Sequence, residues 1–327
     1  MATTTVNPPI SHAQTYGTLG HAYVFAQQEI LMALEDGLDV LGLGIIPLMG
    51  DLAGSGSDTL RVTDLGEVGW NLPMTALTGE TEAVTPSTVQ LGYEELTIGM
   101  YGLAQSETYM RQVLGRPADG VSLDRLKGMV PMSWLATLRQ LVCTTGAGIA
   151  TAVGSATAPL SVDDHLDLAT VYRTTMGSQA PWAMIDGVQL DQLMRSYRNE
   201  PAFGNSAGEF AALLGIKMDG GSIAQRHPNL AGMGIDVAIT DDIVQSGGAR
   251  QGFSTTRGGI GYGIANTSPI KPANTNGAIY IANFGLFIEE LSDRGRQTQR
   301  EYRATAFLGA MLGSTRVFPQ RRLISII

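Results

Sequence analysis

Hydrophobic and polar positions along the chain divide it into helical, alternating and turn-rich stretches. Residues 1 to about 20 are rich in Thr, Pro and Gly and lack periodicity, so they are expected to form an extended arm. From His21 to Asp36, Val24, Phe25, Ile30, Leu31 and Leu34 recur at helical spacing, with Gly37 as a stop. LDVLGLGIIPLM then reads as an apolar bend. TLRVTD reads as a strand, and TVQLGYEELTIGMYGLAQSE alternates like a strand pair. The polar, turn-rich GEVGWNLPMTALTGETEAVTPST lies between them, so residues 51–105 are expected to form an extended β-hairpin.

Between Val121 and about Ala152, Leu123, Leu126, Met129, Met132, Leu135, Leu138 and Val142 follow one another at helical spacings. They predict a long helix, capped by Ser122 and either kinked or restarted at Pro131. The uncharged stretch Gln140–Val162 is dominated by small residues and contains Pro159. It lacks the bulk of a membrane span and reads as a helix end followed by a buried loop. A second helix starts after Ser161, with Asp163 and Asp164 where negative charge suits the helix dipole. Its inner face is read as Leu166, Ala169 and Tyr172, and its end as Gly177. PWAMID reads as a buried strand, GVQLDQLMRSY as a helix and GIDVAITDDIV as a strand. GGARQGFSTTRGGIGYGIANTSPIKPANTN is expected to be turns rather than regular core. The chain ends with a short apolar strand carrying Tyr280 and Phe284, then FIEEL, an arginine-rich segment, an apolar stretch from Tyr302 to Leu312, and the strand RRLISII.

Composition changes this picture modestly. A chain of 327 residues, 44% hydrophobic, has room for about two domains with real cores. Its 41 Gly and 6% aromatic content suit long loops and close backbone contacts. The formal charge of −9 argues against a surface that coats nucleic acid. Residues 295–327 nonetheless hold six Arg and one Glu, which can contact phosphates or pair with acidic neighbours, the second being favoured. Only three of the 21 basic residues are Lys, which favours fixed bidentate contacts. The N-terminus lacks the basic flank and apolar run of a signal peptide, so a soluble protein made inside the cell is expected.

Candidate chemistry is sparse. The single cysteine, Cys143, excludes a disulfide within the chain and reads as a buried small hydrophobe. GAGIATAVG has Thr151 where a dinucleotide loop needs its third glycine, and it follows a helical pattern instead of a strand. Asp163, Asp164, His165 and Asp167 form the densest set of metal-type ligands, but an acidic first helical turn explains the aspartates. No HExxH, GxSxG or phosphate-loop motif occurs. Neither a catalytic residue nor a metal site nor a cofactor is expected.

Two stretches carry a resemblance. The order of elements from Gly277 to Ile327 and the helix–strand–helix PLSVDDHLDLATVYRTTMGSQAPWAMIDGVQLDQLMRSY resemble tailed-bacteriophage major capsid proteins with the Hong Kong 97-like fold. The resemblance implies an α+β fold with an N-terminal arm and helix (1–50) and an extended loop (51–105). It further implies a peripheral domain with a long spine helix (106–160), an axial domain (161–290) and a return to the peripheral domain ending in a strand (291–327). It also implies a shell of pentamers and hexamers, closed as an icosahedron around double-stranded DNA that is held by non-specific contact. Such a shell forms in the host bacterial cytoplasm, meets portal, scaffold and decoration proteins, and becomes the virion capsid, with no membrane partner. Some members of the family join a loop Lys to a neighbour's Asn, but residues 51–105 contain no Lys, so no crosslink is expected. Contacts between subunits then fall to Trp70, Leu72, Pro73 and Met74 at the hairpin tip, with Arg61 and Glu80 or Glu82 for ion pairs. The alternatives are an encapsulin-like nanocompartment shell and an oligomeric α/β enzyme built on Asp163, Asp164 and His165.

Overall fold

The computed structural model describes residues 17–40, 46–52, 58–64, 92–108, 119–174, 181–199, 236–270, 278–292, 299–313 and 318–327. They form two six-stranded sheets, a two-stranded ribbon and four α-helices. Of the expected arm only residues 17–20 are described, and they are helical instead of extended; the rest of the arm and the hairpin tip lie outside the described residues.

The larger sheet has the order β1 (Leu48–Leu52), β10 (Ile260–Ala265), β13 (Gln299–Leu312), β12 (Leu286–Ser292), β11 (Ala278–Ile281). Its organiser is β13. One side of this strand pairs with β4 (Gly99–Thr108) along 299–308. The other side is shared, with β12 on 300–306 and β10 on 308–312. The smaller sheet has the order β5 (Ala152–Gly154), β14 (Gln320–Ile326), β9 (Ala249–Thr256), β6 (Pro181–Ile185), β7 (Asp236–Ile239), and β8 (Val244–Ser246) also pairs with β9. Gly247 and Gly248, both at positive φ, make the two-residue turn that joins β8 to β9. Residues 260–265 and 278–292 thus share a sheet with 299–312, while the last strand lies with β6.

Helix α2 (Asp119–Ala147) joins the two sheets. Against the larger one, Trp134 meets Phe284 and Tyr262 edge-on at 5.2 and 6.3 Å, and its Nε1 donates to the Phe284 carbonyl at 2.9 Å. Further along, Val142 and Cys143 share one core with Trp182, Met184 and Phe253 of the smaller sheet. A Cβ on Gly146 would overlap the Phe253 ring, so glycine permits that approach. At the helix end the Arg322 guanidinium donates to the Ala147 carbonyl at 3.1 Å, placing a cation where the dipole favours one. Helix α1 (Gly17–Val40) lies beside α2, linked by Glu29–Lys127 at 3.0 Å, and Gln27 donates to the Tyr280 carbonyl.

Helices α3 (Val162–Thr174) and α4 (Gly187–Asn199) cover the opposite face of the smaller sheet. Strand β6 therefore alternates between two cores, with Trp182 and Met184 towards α2 and Ala183 and Ile185 towards α3 and α4. Burial on both faces explains why PWAMI is apolar throughout.

Several expectations are corrected. Gly37 does not stop α1, which runs to Val40; a Cβ there would overlap Leu135, so its role is close helix packing. The end of the supposed bend, Leu48 and Met49, belongs instead to strand β1, which is parallel to β10. Ser122 lies inside α2, which starts at Asp119, runs on through Pro131 and ends at Ala147. The loop after it is exposed from Ala150 to Pro159 except at Val153. Ser161 does cap α3: its hydroxyl accepts from Asp164 N–H at 3.3 Å and its own N–H donates to the Asp164 carboxylate at 2.8 Å. Leu166, however, is exposed, and the inner face is His165, Leu168, Ala169 and Tyr172. Phe284 sits in a 3₁₀ turn after the strand. The largest correction concerns residues 249–265. They form two mostly buried strands joined at Gly258, which is at positive φ, because the glycines within the strands admit neighbouring groups instead of turning the chain: Gly252 has Gln189 and the Met184 carbonyl where a Cβ would stand.

Candidate assembly interface

The expected hairpin begins as an antiparallel ribbon of β2 (Thr59–Asp64) and β3 (Gly92–Thr97). Its outer face is wet. Arg61 Nε pairs with Glu95 at 3.1 Å, and the guanidinium lies 4.7 Å from the Tyr93 ring centroid. Arg61 and Glu95 are directly opposite in register, so Arg61 has an ion-pair partner within its own ribbon. Both side chains are about half exposed or more, which leaves the pair open to solvent. Trp70, Leu72, Pro73, Met74, Glu80 and Glu82 lie outside the described residues.

The inner face holds the ribbon down. Leu96 is fully buried and Ile98 mostly so at the corner where β3 leads into β4, and Ile98 N–H donates to the Asp58 carbonyl at 2.9 Å. Leu60 and Leu96 face one another across the ribbon, above Gly50, Gly263 and Gly309 of the larger sheet. Sequence patterning found both strands, but no local signal tied Leu96 to glycines more than 160 residues away.

The groups that would have favoured an enzyme do not converge. Asp163 and Asp167 are exposed, and Asp164 is engaged in capping α3. His165 points instead into an apolar space of about 10 Å³, lined by residues including Leu168, Ile185, Leu193 and Leu323, at the lower limit for one water. Burial there lowers its pKa to about 4, so the ring is neutral near pH 7. Cys143 is enclosed 3.7 Å from the Met184 sulfur, and burial first, then Asp242, raises its thiol to about 12. Among the described residues no three His, Cys, Asp or Glu side chains gather as metal ligands. Among the same residues no helix is long and apolar enough to cross a membrane.

No family model matches the chain, and no curated protein matches it by sequence. Solved structures do match. The capsid of Myoviridae phage XM1 superposes with a TM-score of 0.53 at 9% identity, covering 87% of this chain and 90% of that one. The capsid of cyanophage P-SCSP1u gives 0.52 at 10% identity, covering 84% and 85%. The holo-SrpI encapsulin complex from Synechococcus elongatus PCC 7942 reaches 0.48 at 10% identity, too low to carry weight. The fold thus resembles that of Hong Kong 97-like phage major capsid proteins, and at these identities the likeness is one of fold alone.

Proposed function

We propose that this chain is a shell-forming tile, the major capsid protein of a tailed phage, which assembles as pentamers and hexamers of an icosahedral shell around double-stranded DNA. The observation that carries the reading is the likeness to two phage capsid structures over more than four-fifths of the chain. We assign the larger sheet with α1 and α2 to the peripheral domain, the smaller sheet with α3 and α4 to the axial domain, and α2 to the spine. The tip residues Trp70, Leu72, Pro73 and Met74 would dock on an adjacent subunit, with Arg61 and Glu80 or Glu82 for ion pairs, and many modest edges would add up by multivalency. The acidic balance of the chain suits a container that must release its DNA, since a strongly basic lining would grip phosphates.

Negative-stain microscopy of the purified chain, followed by nuclease treatment and extraction of protected nucleic acid, tests the reading. Closed shells or ring-shaped capsomers support the tile, and protected double-stranded DNA from particles made during infection supports the phage role. Shells that enclose protein cargo and no DNA would point to a nanocompartment. Discrete small particles under every condition would overturn both.

A further inference from the structure

Strand β4 is paired to β13 up to Gly99 opposite Leu308, and the chain then turns at Ile98 and passes over the sheet as β3. Beneath that crossing, Gly263 of β10 and Gly309 of β13 are directly opposite partners. Leu96 sits over this pair. A Cβ on Gly263 would overlap Leu96 Cδ2, and one on Gly309 would stand 3.0 Å from Leu96 Cδ1 and overlap the Thr97 carbonyl oxygen. Leu60 closes the other side, 3.5 Å from the Gly263 position. Leu96 is thus held between a glycine pair below and Leu60 beside it, and the ribbon backbone comes closer to the sheet than any side chain there would permit.

We infer that Leu96, seated on the Gly263–Gly309 pair, is the positioning residue that fixes the direction in which the β2–β3 ribbon leaves the tile. The inference rests on the shell reading only for its consequence, which is where the outer hairpin reaches on a neighbouring copy. Gly263 is the informative position. Its φ lies outside the left-handed range, so alanine meets no backbone strain, and the atoms in its way belong to leucine side chains. Ordinary carbon–carbon contact of about 3.5–4.0 Å would require Leu96 to retreat by about 1.2–1.7 Å. Leu96 is fully buried with Leu60 beside it, which leaves its tip little room to rotate aside, so the ribbon is expected to lift.

The test uses the full chain with spin labels at the exposed Glu94→Cys and Gln140→Cys, the buried Cys143 being out of reach of the label, and with labelled protein diluted into unlabelled. Double electron–electron resonance should give one narrow ribbon-to-helix distance for the parent. Gly263→Ala should shift that distance, and Gly263→Ala with Leu96→Ala should reverse the shift by restoring the space. Leu96→Ala alone should broaden the distribution, which keeps the test decisive if Gly263→Ala does not fold. An unchanged distance in folded Gly263→Ala, or a distribution in Leu96→Ala as narrow as the parent's, would overturn the inference. Particle diameter is read separately. Parent shells with altered diameters in Gly263→Ala support the consequence, and unaltered diameters sink it. A parent that never forms shells sinks the shell reading, while the distance data still decide the joint.

Discussion

Helix α2 and the β2–β3 ribbon hold their places by opposite means. The helix is packed by α1 and by both sheets, with Trp134 and Cys143 buried in one continuous core. The ribbon touches the rest of the chain through Leu60, Leu96 and the corner at Ile98, and its outer face carries exposed Arg61, Glu95 and Tyr93. Packing on several sides makes a frame that moves as one piece, whereas a narrow seat makes a lever. On the proposed shell reading, a subunit that keeps its own shape and still reaches a neighbour needs both.

The contrast breaks most visibly at the frame. Trp134→Ala removes a buried indole and leaves the Phe284 carbonyl without its donor, and large-to-small changes of this kind cost about 3–5 kcal/mol. Thermal unfolding should show a large fall in Tm. A fall no greater than that of a surface variant would mean the helix is not the organiser of the core.

A smaller effect is expected from pH. His165 has its pKa lowered from 6.5 to about 4 by burial in the folded chain, so between these values the unfolded chain binds a proton that the folded chain refuses. Stability should therefore drop as pH falls from about 6.5 to about 4 and gain nothing from this group above that window. Denaturant titrations at several pH values should show that drop, and it should be weaker in His165→Leu. The same slope in both proteins would assign the acid sensitivity to other groups.

The smallest effect belongs to the ribbon surface. Arg61→Ala removes an exposed ion pair and a cation–π contact, together worth about 1 kcal/mol or less, and should leave Tm nearly unchanged. If Arg61 also contacts a neighbouring subunit, the variant should weaken assembly without lowering Tm. A large loss of Tm would mean that the ribbon is part of the frame.

Periodicity revealed much of this architecture and missed a definable part. Leu126, Leu135, Leu138 and Val142 announced α2, and Ser161 with Asp164 announced the start of α3, because those signals are local. Strands β9 and β10 were missed because Gly252, Gly261 and Gly263 suggest turns when seen singly. Their purpose is set by Gln189, Met49 and Leu96, which approach from elsewhere in the chain. Gly37 was misread for the same reason, since Leu135 is what requires it. Of the candidate contacts, Arg61 was correctly placed on a strand, but its partner Glu95 depends on the ribbon register, which alternation alone does not specify.

Sedimentation velocity of the purified chain over a range of salt and protein concentrations tests the central claim most directly. A shell tile of 34.6 kDa should yield capsomer-sized rings and then a single fast, narrow boundary of closed particles as assembly is favoured. A lone 34.6 kDa species under every condition would contradict the account.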